Sequence, residues 1–157
     1  MGVTLKQGDK APVFKGINQD GQVVSLSDFK GKKLVLYFYP QDGTPTCTVQ
    51  ACNLRDNYAV LKKAGFEVVG VSPDQEKKHK NFVVKHQLPF TLIADTEHKL
   101  LNQFGVWDEK MLYGRKYMGV LRTTFVIDEK GIIKIIFLKP KSKEHAEEIV
   151  AAWENLT

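Results

Sequence analysis

Two side chains in this sequence are suited to covalent chemistry at neutral pH, and they stand five residues apart: Cys47 and Cys52, the only cysteines among 157 residues. A cysteine attacks only as its thiolate, and the free thiol, with a pKa of about 8.5, is only slightly ionised at pH 7. What precedes Cys47 bears directly on that ionisation. Leu34-Val35-Leu36-Tyr37-Phe38-Tyr39 is an apolar run rich in β-branched and aromatic residues, which predicts a buried strand. Pro40 ends it, because proline has no N–H for a sheet ladder. Gln41-Asp42-Gly43-Thr44-Pro45 is turn-rich, and a helical pattern runs from Thr46 to about Ala64, stopped by Gly65. Cys47 then lies in a first helical turn, whose N–H groups lack internal partners and carry the positive end of the helix dipole; both favour the thiolate. The Thr44 hydroxyl could donate to the sulfur or to a bound oxygen, and Pro40 could shield the sulfur from water. An inert buried thiol is the competing reading, since free cysteine is among the most buried residue types.

Cys52 adds a geometric constraint. In an intact helix two residues five apart are separated by about 140° around the axis and about 7.5 Å along it. Their Cα atoms lie about 8.5 Å apart, beyond the roughly 7 Å that a disulfide tolerates. The pair is therefore no structural bridge in a folded helix, and it could join only if the first turns unwound. That suits a cycle in which oxidised Cys47 is released and captured by Cys52, the step from sulfenic acid to disulfide; two unrelated thiols is the other option. The spacing is not the Cys-x-x-Cys of disulfide oxidoreductases acting on proteins, which weakens that alternative. A redox sensor passing its oxidation to a partner has no specific feature in its favour. No second Cys-x-x-Cys or His-x-x-x-His accompanies the cysteines, so a zinc site lacks ligands.

These residues carry a family resemblance. Pro40-x-x-x-Thr44-x-x-Cys47 resembles the active-site motif of peroxiredoxins. Thr44-Pro45-x-Cys47-Thr48-x-x-Ala51-Cys52-Asn53-x-Arg55-Asp56 is similar to the peroxiredoxin Q / bacterioferritin-comigratory-protein branch. The resemblance covers nearly the whole chain, through Gly8-Asp9-Lys10-Ala11-Pro12-x-Phe14, Asp28-Phe29-Lys30-Gly31-Lys32, Phe66 to Ser72, Phe104-Gly105-Val106-Trp107 and Arg122 to Asp128. It implies a thiol peroxidase for hydrogen peroxide and organic hydroperoxides, in which Cys47 is peroxidatic and Cys52 resolves it as an intramolecular disulfide. It also maps a catalytic arginine onto Arg122, assigns Pro40 and Thr44 to the motif, and implies thioredoxin as reductant without metal, haem or flavin. Three positions depart from the branch pattern: Thr46 stands where Gly is usual, Gln50 where Glu is usual, and Val13 where Asp is common. None is one of the motif positions, although Gln50 bears on hydrogen bonding near the thiol.

The elements that must position these groups read as alternating β and α. A hairpin is predicted around 14–17 and 23–25, turned by Gln19-Asp20-Gly21, followed by the core strand 33–39 and the cysteine helix. Strand 66–71 follows, with Asp74 as cap of a helix through His86, then strand 91–94 and a short helix through Phe104 capped by Asp95 or Thr96. Residues 111–120 read as a loop or small hairpin, 122–127 and 132–138 as a firm hairpin, and Ser142 as N-cap of a last helix over 143–155. Strand, helix, strand implies a right-handed parallel crossover, placing Cys47 at the carboxyl edge where α/β sheets build sites. Together with the resemblance, this predicts one domain over residues 1–157: an α/β, thioredoxin-like fold, a central mixed sheet flanked by helices, with an N-terminal hairpin added. Arg122, at a strand start, is a surface arginine by position alone and a partner of Cys47 by the resemblance.

Composition narrows the class. Hydrophobic content of 43% and charged content of 26% are those of a globular protein with a sizeable core. The net charge of +5 is mild, and its lysines cluster as solvated faces, so a nucleic-acid partner is not expected. No apolar run approaches the roughly 18 residues of a membrane span, and no secretory h-region is present, so a cytoplasmic location is expected; the resemblance implies a monomer, at most a weak dimer. His79, His86, His98 and His145 sit among lysines and glutamates and are expected to be exposed. Trp107 and Trp153 are expected to pack in core or groove.

Overall fold

The computed structural model describes residues 2–156. Its centre is a five-stranded mixed sheet in the order β5-β4-β3-β8-β9. β3 (Lys33–Phe38), β4 (Phe66–Ser72) and β5 (Thr91–Ala94) run parallel, while β8 (Thr123–Ile127) and β9 (Ile133–Phe137) are antiparallel additions. β3 is central because nearly all of it is apolar, and Leu34 to Tyr39 are at most 1% exposed. Its alternation sorts the core into two layers. Leu34, Leu36 and Phe38 face a cluster built with Phe14, Phe104 and Phe125; Val35, Tyr37 and Tyr39 face a second one containing Cys47, Ala51, Leu54 and Ile149.

The helices follow from that sorting. α1 (Pro45–Asp56), α2 (Tyr58–Lys63), α3 (Glu76–His86) and α5 (His145–Glu154) supply the second layer, and α4 (Lys99–Gln103) the first. The predicted single helix to Ala64 is broken at Asn57 (φ −107°, ψ 10°). At this point the Asn57 backbone N–H still makes the ladder bond to the Asn53 carbonyl, and its side-chain amide turns back to donate to the same carbonyl. Asn53 in turn accepts from the Ala146 N–H at the start of α5 and donates to the Lys143 carbonyl and Glu147 carboxylate. The second half of α1 is thereby fastened to α5.

Smaller expectations fared unevenly. The N-terminal hairpin forms as β1 (Lys15–Ile17) and β2 (Val23–Ser25), with buried Asn18 organising the turn by accepting from the Asp20 and Gln22 N–H groups. Asp95 does cap α4, accepting from Leu100 and Leu101. Asp74 does not cap α3, whose N-cap is Gln75; its carboxylate serves the loop before α1 instead. Ser142 lies inside a 3-10 turn, and the α-helix starts only at His145. Residues 107–120 form a hairpin, β6 (Trp107–Leu112) and β7 (Arg115–Val120), turned by Tyr113 and Gly114, both left-handed. It stands apart from the central sheet and exposes Met111, Leu112 and Tyr113. Trp107 and Trp153 pack against the two core layers as expected.

Candidate active site

β3 and β8 are antiparallel with Phe38 opposite Thr123, so the start of β8 lies beside the end of β3. That register delivers Arg122, the residue just before β8, to the edge where the chain turns into α1. Its guanidinium is shared between two residues one helical turn apart: Nη2 donates to Cys47 Sγ at 3.1 Å and Nη1 to Gln50 Oε1 at 2.8 Å. Cys47 is the third residue of α1 and 1% exposed; Gln50 is 0% exposed. The sulfur therefore has a fixed cation beside it and belongs to the first turn of α1, whose amides lack partners within the helix. This arrangement stabilises negative charge on the sulfur and on any oxygen developing charge next to it.

Two buried polar atoms near this point have no hydrogen-bond partner among the described residues, Gln50 Nε2 and Tyr37 Oη. Burial first, then the charges of Asp42 and Cys47, pushes ionisation of Tyr37 well above its ordinary value, so it remains a phenol. Pro40, two residues past the end of β3, is half-buried. Thr44 is the N-cap residue of α1: its carbonyl accepts from the Thr48 N–H, and its hydroxyl donates to the Gln41 carbonyl at 3.1 Å. That hydroxyl is thus committed to the loop rather than to the sulfur. Of the departures from the branch pattern, Val13 and Thr46 are exposed, and only Gln50 enters the site.

Cys52 occupies a separate environment. It is half-buried, and its Sγ lies 3.9 Å from Nδ1 of His86, the last residue of α3. Both thiols are free and α1 is unbroken between them. Cys47, Gln50 and Arg122 are brought together, Pro40 and Thr44 frame the loop before them, and Cys52 stands apart.

The AhpC/TSA family model matches residues 7–136. The chain is a peroxiredoxin. It is 47% identical to peroxiredoxin Bcp of Escherichia coli K12 over 149 residues, 95% of each chain. Peroxiredoxin Q of Xylella fastidiosa, solved as a cysteine-to-serine mutant, superposes with a TM-score of 0.91 at 28% identity, covering 98% of both chains. The bacterioferritin comigratory protein of Xanthomonas campestris, whose structures concern alkyl peroxide reduction, superposes with a TM-score of 0.86 at 30% identity, again over 98% of both. The family, the Bcp / peroxiredoxin Q branch and the thioredoxin-like fold expected from the sequence are thus as observed, and the enzyme is a thiol peroxidase.

This peroxiredoxin departs from the sequence expectation at its histidines, none of which is fully exposed. His79 and His145 are completely buried, and His86 and His98 are half-buried, His98 stacked on Trp107. His79 Nε2 faces the Ile93 carbonyl at 3.0 Å and must carry a proton there, since a carbonyl only accepts; Nδ1 meets Asp42 Oδ2 at 2.6 Å. Asp42 also accepts from the Tyr39 hydroxyl, and its N–H donates to Asp74, which is held by Ser72 and Lys78. Asp42, Asp74 and His79 are close enough to suggest a cation site, but these bonds already occupy the atoms that would ligate it. The cluster is a clasp fastening the loop before Cys47 to α3 and β5. One signal for it was available: His79 and Phe82 are three apart, so both lie on the inward face of α3.

Proposed function

We propose that Cys47 is the peroxidatic nucleophile, and the observation that carries this reading is the 3.1 Å contact from Arg122 Nη2 to its sulfur. The thiolate attacks one peroxide oxygen, the O–O bond breaks, and the leaving oxygen departs protonated as water or alcohol. Cys47 is left as a sulfenic acid. Arg122 and the first-turn amides stabilise the charge passing through the reacting oxygens, and the fixed loop supplies orientation. Pro40 shields the sulfur from water, and the Thr44 hydroxyl swings from the Gln41 carbonyl to the bound peroxide. The first turns of α1 then unwind, Cys52 attacks the sulfenic sulfur, and an intramolecular disulfide forms with release of water.

An external dithiol protein of the thioredoxin type reduces that disulfide by exchange. The alkyl peroxide reduction activity of the Xanthomonas relative supports alkyl hydroperoxides as substrates beside hydrogen peroxide. Because both thiols belong to one chain, the cycle needs no second copy, which supports a monomer; reducible thiols suit the cytoplasm. No helix among the described residues is long and apolar enough to cross a membrane. The test is rapid mixing of reduced protein with one equivalent of hydrogen peroxide, followed by intact mass over time. A fast loss of two hydrogens in the wild type is expected. Cys52→Ser should stop at a fast gain of one oxygen, and Cys47→Ser should do neither. Oxidation of the wild type at the rate of an ordinary thiol would end the reading.

A further inference from the structure

The peroxidatic thiol has a cation and a helix start to ionise it; the resolving thiol has neither. Cys52 lies in the middle of α1, where every amide is already engaged, yet it too must be a thiolate to attack. Among the described residues, the hydrogen-bonding group on its sulfur is the imidazole of His86, Nδ1 to Sγ 3.9 Å. We propose that His86 is the proton acceptor that ionises Cys52 for the resolving step; this rests on the peroxidase cycle above.

Three features hold the imidazole to this task. His86 is the last residue of α3, so the helix end fixes where its side chain starts. Its ring is packed edge-on against Phe82, at 4.9 Å between centroids, which limits its rotation. Its carbonyl accepts from Arg55 Nη1 at 2.9 Å, which ties the end of α3 to α1 one turn past Cys52. The charged and titratable groups around the pair are few. Arg55 faces it from α1 and is itself paired with Asp56, Lys85 precedes it on α3, and Tyr37 on β3 stays a phenol.

The chemistry balances without another reactant. His86 Nδ1 takes the S–H proton of Cys52, with Nε2 already protonated. As α1 unwinds, the Cys52 thiolate attacks the sulfur of Cys47 sulfenic acid; the S–S bond forms and the S–O bond breaks. The departing hydroxide recovers a proton from the imidazolium and leaves as water. The two thiols are oxidised by the peroxide oxygen already transferred, and His86 returns neutral.

The experiment is a single turnover with one equivalent of hydrogen peroxide, acid-quenched at intervals and weighed, for wild type, His86→Asn and His86→Gln. The first phase reports sulfenic acid formation and the second its conversion to disulfide. Both variants should slow the second phase roughly a hundredfold at neutral pH, the low end of general-base effects. Their second phase should also keep climbing with pH toward the thiol range near about pH 8.5, whereas the wild type should rise only through the imidazole range near about pH 6.5 and level off above it. A second phase with the same rate and profile in all three proteins overturns the proposal. So does a uniform slowing with an unchanged profile, which would make His86 a tether, or an acceleration, which would make it a restraint. The wild-type profile is a test by itself: a resolving rate that rises through the thiol range in the native protein refutes the assignment without any variant. A fast first phase with a second phase indifferent to residue 86 removes only this inference, whereas a slow first phase in the wild type removes the peroxidase reading with it.

Discussion

At the scale of single residues, the site depends on one guanidinium bridging Cys47 and Gln50. Arg122→Met keeps much of the side-chain volume and removes both donors. First-phase oxidation should fall roughly a hundredfold, as when one preorganised donor is lost from an oxyanion site, which stopped-flow mixing with peroxide would read. His145 sets a different expectation. Burial, its largest influence, lowers its proton affinity, Glu148 pulls it back up, and the charge of Arg122 lowers it again; the net shift is below the ordinary imidazole value. Its Nδ1–H donates to Glu148 and its Nε2 accepts from the Thr124 hydroxyl, which suits a neutral ring. The unfolded chain binds the proton first as pH falls, so stability is complete above about pH 6.5 and declines as pH drops through it. Urea midpoints at pH 7.5 and 5.5 should show that decline, and His145→Gln should make it shallower. Cys47 and Cys52 were legible because their type and spacing are local, whereas Arg122, 75 residues from Cys47, was placed only through the family resemblance. His79 and His145 were not: a histidine between charged neighbours looks solvated until a distant carboxylate, Asp42 or a threonine on β8 is folded against it.

At the scale of elements, α1 is held unequally along its length. Its first turns rest on the Arg122 fork, while from Asn53 onward it is fastened to α5 and to the end of α3. Cys52 stands at the boundary, so unwinding over 45–52 can proceed while the remainder stays docked. The loop that feeds α1 is held by the Asp42–His79 clasp. His79→Ala leaves the Asp42 carboxylate buried without its partner and should destabilise the protein by about 3 kcal/mol in chemical denaturation. Strand order was readable from apolar runs and turn residues. The break at Asn57 was not, since the side-chain amide of Asn57 bonds back to the Asn53 carbonyl, which a periodicity does not register. Asp74 and Ser142 were misjudged for a related reason: both are good capping types whose bonds, or whose helix start, lie elsewhere.

At the scale of the whole molecule, two core layers on the faces of one sheet carry the fold, and the reactive helix contributes to only one of them. Local melting of α1 therefore leaves the Phe14–Phe104–Phe125 layer and the sheet intact. A disulfide that closes only a short loop, and requires lost helix to form, restrains the unfolded chain little. The oxidised protein should accordingly melt below the reduced one, by several degrees in paired calorimetric scans, the reverse of what a structural disulfide does.

The same opposition between helix and disulfide has an electrochemical side. In the proposed cycle, when an incoming dithiol breaks the Cys47–Cys52 bond the freed segment winds back into α1, Cys47 returning to Arg122 and Cys52 to His86. In that cycle the folding energy of those turns is added to the reduction itself, so the couple is expected to lie toward the oxidising end of the protein disulfide range. The helix thus makes the spent enzyme a better electron acceptor than its sulfur chemistry alone would, and regeneration runs downhill from the very order that oxidation had to undo.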